Sequence, residues 1–315
     1  LNAEDGILFF MNKKVAFIYD DIFLKHETPY GHPESKERLV AIVNHLKNAG
    51  LWDKLIHIKP RKATEKEIAL VHEPRYIEKI KNSPAGYLDP DTYLSKDSYE
   101  VACYAVGAVL NAVDGVINKD FDRAFCAVRP PGHHAEADYA MGFCIFNNVA
   151  VGAAYARSKG LKKIFIVDFD VHHGNGTQHI FEDDCSIFYF SSHQFPFYPG
   201  TGREIETGRG QGQGCTYNVT LRAGSGNRDY LMVFQDILLQ KIRSINPDLI
   251  LVSAGYDIHK DDPLSYINVS TDGVRSIVKS ILESTDAPKI FVLEGGYNLQ
   301  ALSESVKVTL EEMLD

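Results

Sequence analysis

Short apolar runs alternate with longer amphipathic stretches from about residue 15 to the end of the chain. Runs rich in β-branched and aromatic residues fall at 15–19, 124–128, 164–168, 186–190, 216–221, 248–253 and 289–293. Several are apolar at nearly every position, the pattern of strands covered on both faces of a parallel sheet. Between them, apolar residues recur three and four apart. Leu39, Ile42, Val43 and Leu46 share one helical face, opened by Pro33 and Glu34 and closed by Gly50. Thr64 and Glu67 form a capping-box pair at the head of a second helix. Further helices are expected over 148–159, stopped by Gly160, over 229–244 ahead of Pro247, and over 272–283. This alternation predicts a single-domain α/β fold, an open, mostly parallel twisted sheet with helices on both faces. One domain is expected over 12–315, with 1–11 an N-terminal extension outside the fold, because Met11 reads as a natural start.

Composition narrows the class. The net charge of −9 lacks the basic stripe that gripping nucleic-acid phosphates requires, so no direct nucleic-acid binding is expected. No apolar run reaches the roughly 18 residues that span a bilayer, and the N-terminus lacks the pattern of a signal peptide, so no membrane association is expected. The cysteines at 103, 126, 144, 185 and 215 are odd in number, scattered, and form no C-x-x-C pair. That spacing argues against a disulfide framework or a thiolate zinc knuckle and for a reducing cytoplasm.

Ligands of an open α/β sheet sit beyond the carboxyl ends of its strands. Four strands here run into turns loaded with chemistry: 129–135 (RPPGHHA), 168–176 (DFDVHHGNG), 253–257 (SAGYD) and 294–298 (EGGYN). Asp170 and His172 lie two apart at a strand end and point to one side, where both can reach one ion. Carboxylate oxygen and imidazole nitrogen suit zinc, whose catalytic sites take three protein ligands, and Asp257 is the natural third. An isolated Asp-x-His is more often a turn cap, and a Gly-Gly-Tyr is more often a plain turn. What carries weight is that all four turns sit at strand ends. His133 and His134 can divide the tasks of base and acid, with Asp168 fixing one imidazole tautomer. Tyr297, after two glycines, can donate to a developing oxyanion. The irregular stretch 191–214, rich in Gly, Pro and aromatics, reads as a functional loop.

With these motifs the chain resembles the histone deacetylase superfamily, which includes acetylpolyamine amidohydrolases and shares its fold with arginases. The resemblance runs from 31–34 (GHPE) to the C-terminal helix and also takes in 142–148 (GFCIFNN), 168–178, 198–202 (YPGTG) and 294–299. It implies one Zn2+ on Asp170, His172 and Asp257, and tandem histidines His133 and His134 partnered by Asp168 and Asn175, with His134 the general base and acid. Asn175 and the Glu-Gly-Gly-Tyr segment resemble class II. Gly142, Phe143 and Tyr198 match the walls of an acyl-lysine tunnel, and Arg38 matches a residue at the foot of an acetate channel. A structural K+ or Na+ is implied on Asp168, Asp170, His172, Ser191 and Ser192.

The resemblance also bears on substrate. Leu264 stands where polyamine-specific class II relatives carry a gatekeeper Glu, so an apolar rim favours the acyl-lysine of a protein or peptide over an acetylated polyamine. Longer acyl chains on lysine remain open. Asp89 and Asp91 are candidate rim carboxylates for a substrate backbone N–H. Absence of the insertions some polyamine-cleaving relatives use to dimerise suggests an open monomer. Two rival classes stand beside this reading: a non-catalytic acyl-lysine-binding module, and an arginase-like two-metal ureohydrolase, which needs more Asp and His ligands than this chain shows.

Overall fold

The computed structural model describes residues 13–315, so the expectation for a 1–11 extension lies outside the described residues. Ten strands form in chain order: β1 Val15–Ile18, β2 Ile56–Ile58, β3 Gly86–Tyr87, β4 Tyr93–Leu94, β5 Arg123–Cys126, β6 Ile164–Asp168, β7 Ile187–Gln194, β8 Thr216–Leu221, β9 Leu249–Ala254 and β10 Lys289–Leu293. Eight of them build one sheet in the order β2-β1-β5-β10-β9-β6-β7-β8, and every neighbouring pair in it is parallel. Strands β3 and β4 pair separately as a short antiparallel ladder.

Helices cover both faces: α1 Glu37–Asn48, α2 Glu65–Ile68, α3 Pro74–Asn82, α4 Ser98–Asn118, α5 Asn148–Ser158, α6 Asn175–Phe181, α7 Asn227–Met232, α8 Leu239–Ile245, α9 Thr271–Leu282 and α10 Leu299–Leu314. A π-helical turn at Val233–Leu238 joins α7 to α8. Local chemistry sets several starts. Thr64 and Glu67 make the expected capping box, Asn147 caps α5 through Ala150 N, and Ser270 caps α9 through Gly273 N. The buried side chains Val274, Ile277, Val278 and Ile281 give α9 its single apolar face. All five residues of β6 are buried, as a strand between two helical layers must be.

Two expectations need correction. Helix α4, at 21 residues, is long and apolar enough to cross a bilayer by length and composition, contrary to the reading of the apolar runs. It lies in the core instead, packed on α5 and β5, with Val101, Val106, Leu110 and Val113 buried. The expectation of no disulfide also fails: Cys185 and Cys215 are bonded, with their Cα atoms 5.3 Å apart. The reason is register. Tyr189 pairs with Thr216, so the residues just ahead of β7 and β8 become neighbours although 30 positions separate them. Cysteine spacing therefore does not fix a reducing compartment. Cys103, Cys126 and Cys144 are free and buried.

Because the sheet is parallel, the loops after β5, β6, β9 and β10 emerge at one edge. These are adjacent strands in the middle of the sheet, and the order reverses there, where open α/β sheets leave a crevice.

Candidate active site

The four loaded turns meet at that edge. Asp170, two residues past β6, uses Oδ2 to accept from Gly295 N at 2.8 Å and Oδ1 to accept from His172 N at 2.9 Å. Asp257, three residues past β9, accepts from Val171 N at 2.9 Å through Oδ1. Each carboxylate is thus aimed by backbone amides of the opposite turn. Their other approaches converge on His172, whose Nδ1 lies 3.1 Å from Asp170 Oδ1 and 3.2 Å from Asp257 Oδ2. The hydrogen bond of Nδ1 goes to Asp170, and Asp257 Oδ2, buried, makes no hydrogen bond of sound geometry among the described residues. Ligand atoms roughly 3.3 Å apart are what a tetrahedral ion with bonds of about 2.0 Å needs. Asp170, His172 and Asp257 are the group of metal-competent side chains found among the described residues, with one atom of each within 4.8 Å of the others.

The electrostatics agree with a site built around positive charge. Burial pushes Asp257 up, and the nearby Asp170 adds to it, to about 7. Burial also opposes the charge on Asp170, but His133 and His172 hold it below its usual range. Burial opposes the charge on His172 too, yet Asp170 and Asp257 raise it to about 9. Carboxylates buried this closely are neutralised either by protons or by a cation. A bound divalent ion displaces such protons, which makes affinity depend on pH.

The tandem histidines stand beside this cluster with ring centroids 4.0 Å apart. His133 Nδ1 lies 3.1 Å from Asp168 Oδ2, and a carboxylate only accepts, so Nδ1 is the donor. Tyr189 also donates to that oxygen at 3.0 Å. His134 Nδ1 lies 2.7 Å from Asn175 Oδ1. The amide orientation is fixed from behind, because Asn175 Nδ2 donates to Glu136 Oε1 at 2.5 Å. His134 therefore carries its proton on Nδ1 and leaves Nε2 as an acceptor. Burial and the neighbours His133 and His172 hold His134 well below the usual imidazole range, in the neutral state a base requires. For His133, burial is outweighed by Asp170 and Asp168, which raise it to about 10.

Above the cluster opens a cavity of about 300 Å³. Gly142, Phe143, Tyr198 and Leu264 line its walls, and His134, His172 and Tyr297 line its inner end. Phe143 holds a left-handed φ of 69° straight after Gly142 at 57°. A Cβ on Gly142 would collide with the His134 ring, so only glycine lets wall and base approach this closely. Phe143 N donates to Thr92 Oγ1 at 3.0 Å, and the Phe143 and Tyr297 rings meet edge to face at 5.8 Å. Tyr198 stands at 85° to His134 with centroids 5.2 Å apart.

The remaining expected residues fall as follows. Ser191 Oγ lies 2.8 Å from His193 Nδ1, and Ser192 Oγ is buried with no partner among the described residues. Asp91 lines the cavity, whereas Asp89 turns inward and accepts from Asp91 N and Thr92 N. Arg38 is fully buried and donates to the carbonyls of Glu294 and Gly296 at 2.5 and 2.7 Å, beneath the Tyr297 ring. Sequence reasoning missed Phe197, which stacks on His172 at 5.4 Å, and Tyr266, which packs on Phe197. Their signal was only the aromatic content of a loop. Glu294 was seen only as part of a motif. Its Oε2 accepts from Gly132 N and His133 N, tying the β10 turn to the histidine turn, and burial lifts it to about 7.

This fold and site define an open, parallel α/β scaffold with a buried Asp-His-Asp cluster beneath an aromatic cavity. The Histone deacetylase domain model matches residues 32–313, and the chain belongs to that family. It is 38% identical to Histone deacetylase 5 of Arabidopsis thaliana over 96% of this chain and 49% of that protein. It is 38% identical to Polyamine deacetylase HDAC10 of Homo sapiens over 89% of this chain and 44% of that one. It therefore spans about half the length of these curated relatives. The crystal structure of the HDA15 HD domain superposes with a TM-score of 0.93 at 35% identity, covering 96% of this chain and 88% of that one. Membership of a deacetylase family supports a hydrolase.

Proposed function

We propose that this chain is a divalent-metal-dependent deacylase, zinc being the ion its ligands suit, that hydrolyses the side-chain amide of acyl-lysine in proteins or peptides. The observation that carries this reading is the unsatisfied, buried Asp257 Oδ2 facing His172 and Asp170 at the floor of an aromatic-walled cavity. Asp170, His172 and Asp257 would hold the ion, which would supply Lewis-acid polarisation and a more acidic water. His134 Nε2 takes the proton of the attacking water and returns it to the departing amine. His133, held by Asp168, keeps a second proton within reach. Tyr297 donates its phenol proton in a hydrogen bond to the oxyanion. Phe143 and Tyr198 grip an aliphatic stem and exclude water, which strengthens each of these interactions. Asp168, Asp170, His172, Ser191 and Ser192 would hold a K+ or Na+, partly through backbone carbonyls, and the Ser192 hydroxyl, without a partner among the described residues, supports that assignment.

A second reading, an acetylated polyamine, draws on the similarity to a polyamine deacetylase. Leu264 at the rim weighs against it, since leucine offers a distant ammonium no charge. A panel comparing kcat/KM for acetyl-lysine peptides, longer acyl-lysines and acetylated polyamines on zinc-loaded protein decides between them. The reading expects a peptide as the best substrate. Polyamine preference, or no turnover of any member, would overturn it.

A further inference from the structure

Tyr297 follows Gly295 and Gly296, and Gly296 holds a φ of 115° open only to glycine. Such a turn does not by itself fix where the phenol stands. Upstream, Arg38 binds the carbonyls of Glu294 and Gly296. Downstream, the anchor is Asp262. Its Oδ2 accepts from Tyr297 N at 2.6 Å and from Asn298 N at 3.3 Å, and its Oδ1 accepts from Leu264 N at 2.9 Å. Asp262 is 7% exposed, and among the described residues its carboxylate accepts from three backbone N–H groups and from no cationic side chain. Asn298 adds a second tie, its Nδ2 donating to Asp261 O at 3.0 Å while its Oδ1 caps α10 through Ala301 N.

We propose that Asp262 is the positioning residue for Tyr297, one carboxylate that locks the tyrosine's turn to the Leu264 rim of the cavity. This rests on the oxyanion role given to Tyr297 above. A carboxylate offers acceptors alone, so it suits three converging donors in a way that a side-chain amide cannot. Asp262→Asn keeps the volume but turns an NH2 or a single oxygen toward them. The phenol then loses its fixed position, and an ångström of misplacement costs on the order of 100-fold in rate. Of the walls named above, Leu264 at the rim is the one tied to Asp262, through its N–H, while Phe143 and Tyr198 keep their grip on the stem, so binding changes little. The loss belongs in kcat, not KM.

The test is a double-mutant cycle of Asp262→Asn and Tyr297→Phe on an acetyl-lysine peptide, paired with backbone amide exchange of wild type and Asp262→Asn. Asp262→Asn is expected to lower kcat roughly 10- to 100-fold with KM within about 3-fold, and to cost less than about 2-fold once Tyr297 is Phe. The amides of Tyr297 and Asn298 should exchange at least about 10-fold faster in the variant, while those of β10 keep their rates. Equal losses in both backgrounds, an unchanged kcat, or unchanged exchange at 297 and 298 would each overturn the proposal. If wild type turns over no acyl substrate, the catalytic reading falls, and amide exchange alone decides whether Asp262 holds the turn. Should Asp262→Asn fail to fold, Asp262→Ser, smaller and still able to accept one bond, carries the same cycle and the same outcomes.

Discussion

The two ends of the sheet handle charge in opposite ways. At the amino end, charged groups are matched to backbone, among them the buried Lys289, whose Nζ donates to Thr285 O. Asp248 accepts from Lys162 N and Lys163 N, Asp122 accepts from Lys14 N, and Lys163 Nζ donates to Ile245 O. Arg123 donates to the carbonyls of Glu312 and Met313 at the end of α10, where a helix dipole favours a cation. At the carboxyl end, Asp168, Asp170, Asp257 and Glu294 are fully buried within one cluster, and the ion-pair partners of the three aspartates among the described residues are histidines. Burying carboxylates together is costly unless a cation joins them. The amino end is finished by its own backbone. On the reading proposed above, the carboxyl end is balanced by a guest, a bound cation.

That contrast can be broken from either side. The largest effect belongs to the guest's ligands. Asp170→Ala or Asp257→Ala should weaken divalent-metal binding by more than the roughly 10- to 100-fold that outer-shell partners are worth, and abolish amide hydrolysis with it. Full metal occupancy in either variant, measured by elemental analysis after dialysis, counts against the ligand set. Next comes Tyr297→Phe, expected to lower kcat roughly 100- to 1,000-fold with metal content unchanged. Near-normal turnover would remove Tyr297 from the oxyanion role.

A smaller effect tests the histidine side of the carboxyl end. His72 is buried, accepts from Asn147 N at 2.8 Å through Nε2, and is held by burial at about 4. Its folded value is thus below the roughly 6.5 of the unfolded chain, so below pH 6.5 the unfolded state binds a proton that the folded state refuses. Stability from this group is complete above that value and falls as pH drops toward 4, by about 2 kcal/mol between pH 7 and 5. His72→Gln, which still offers an acceptor but cannot be protonated, should flatten that part of a urea-denaturation series. An unchanged slope removes His72 as the cause. The smallest effect is at the amino end. Arg123→Ala should cost about 1 kcal/mol of stability with kcat unchanged, and a fall in kcat would mean the two ends are not independent.

What could be read from the chain follows the same division. Strands such as β6 and β10 were legible because burial on both faces leaves near-continuous apolar runs. Their chemistry was legible because a parallel sheet sends every strand's carboxyl end to one edge, so Asp170, His172 and Asp257 could be grouped from spacing alone. Helix α4 was not legible. Its residues are apolar almost all round, valine and alanine above all, so it shows little of the amphipathic stripe from which a helical period is read. The Cys185–Cys215 bond was misread because it depends on the register of β7 against β8, which spacing does not encode. Asp262 was invisible for a related reason. A carboxylate that accepts three backbone N–H groups leaves no mark in a motif.

The most direct measurement is a metal titration of the wild-type chain, stripped with a chelator and reloaded in steps, reading hydrolysis of an acetyl-lysine peptide at each step. The account expects no turnover in the stripped protein and activity that rises linearly to a plateau at one zinc ion per chain. Full turnover in the stripped protein, or a plateau only at two ions per chain, would contradict it.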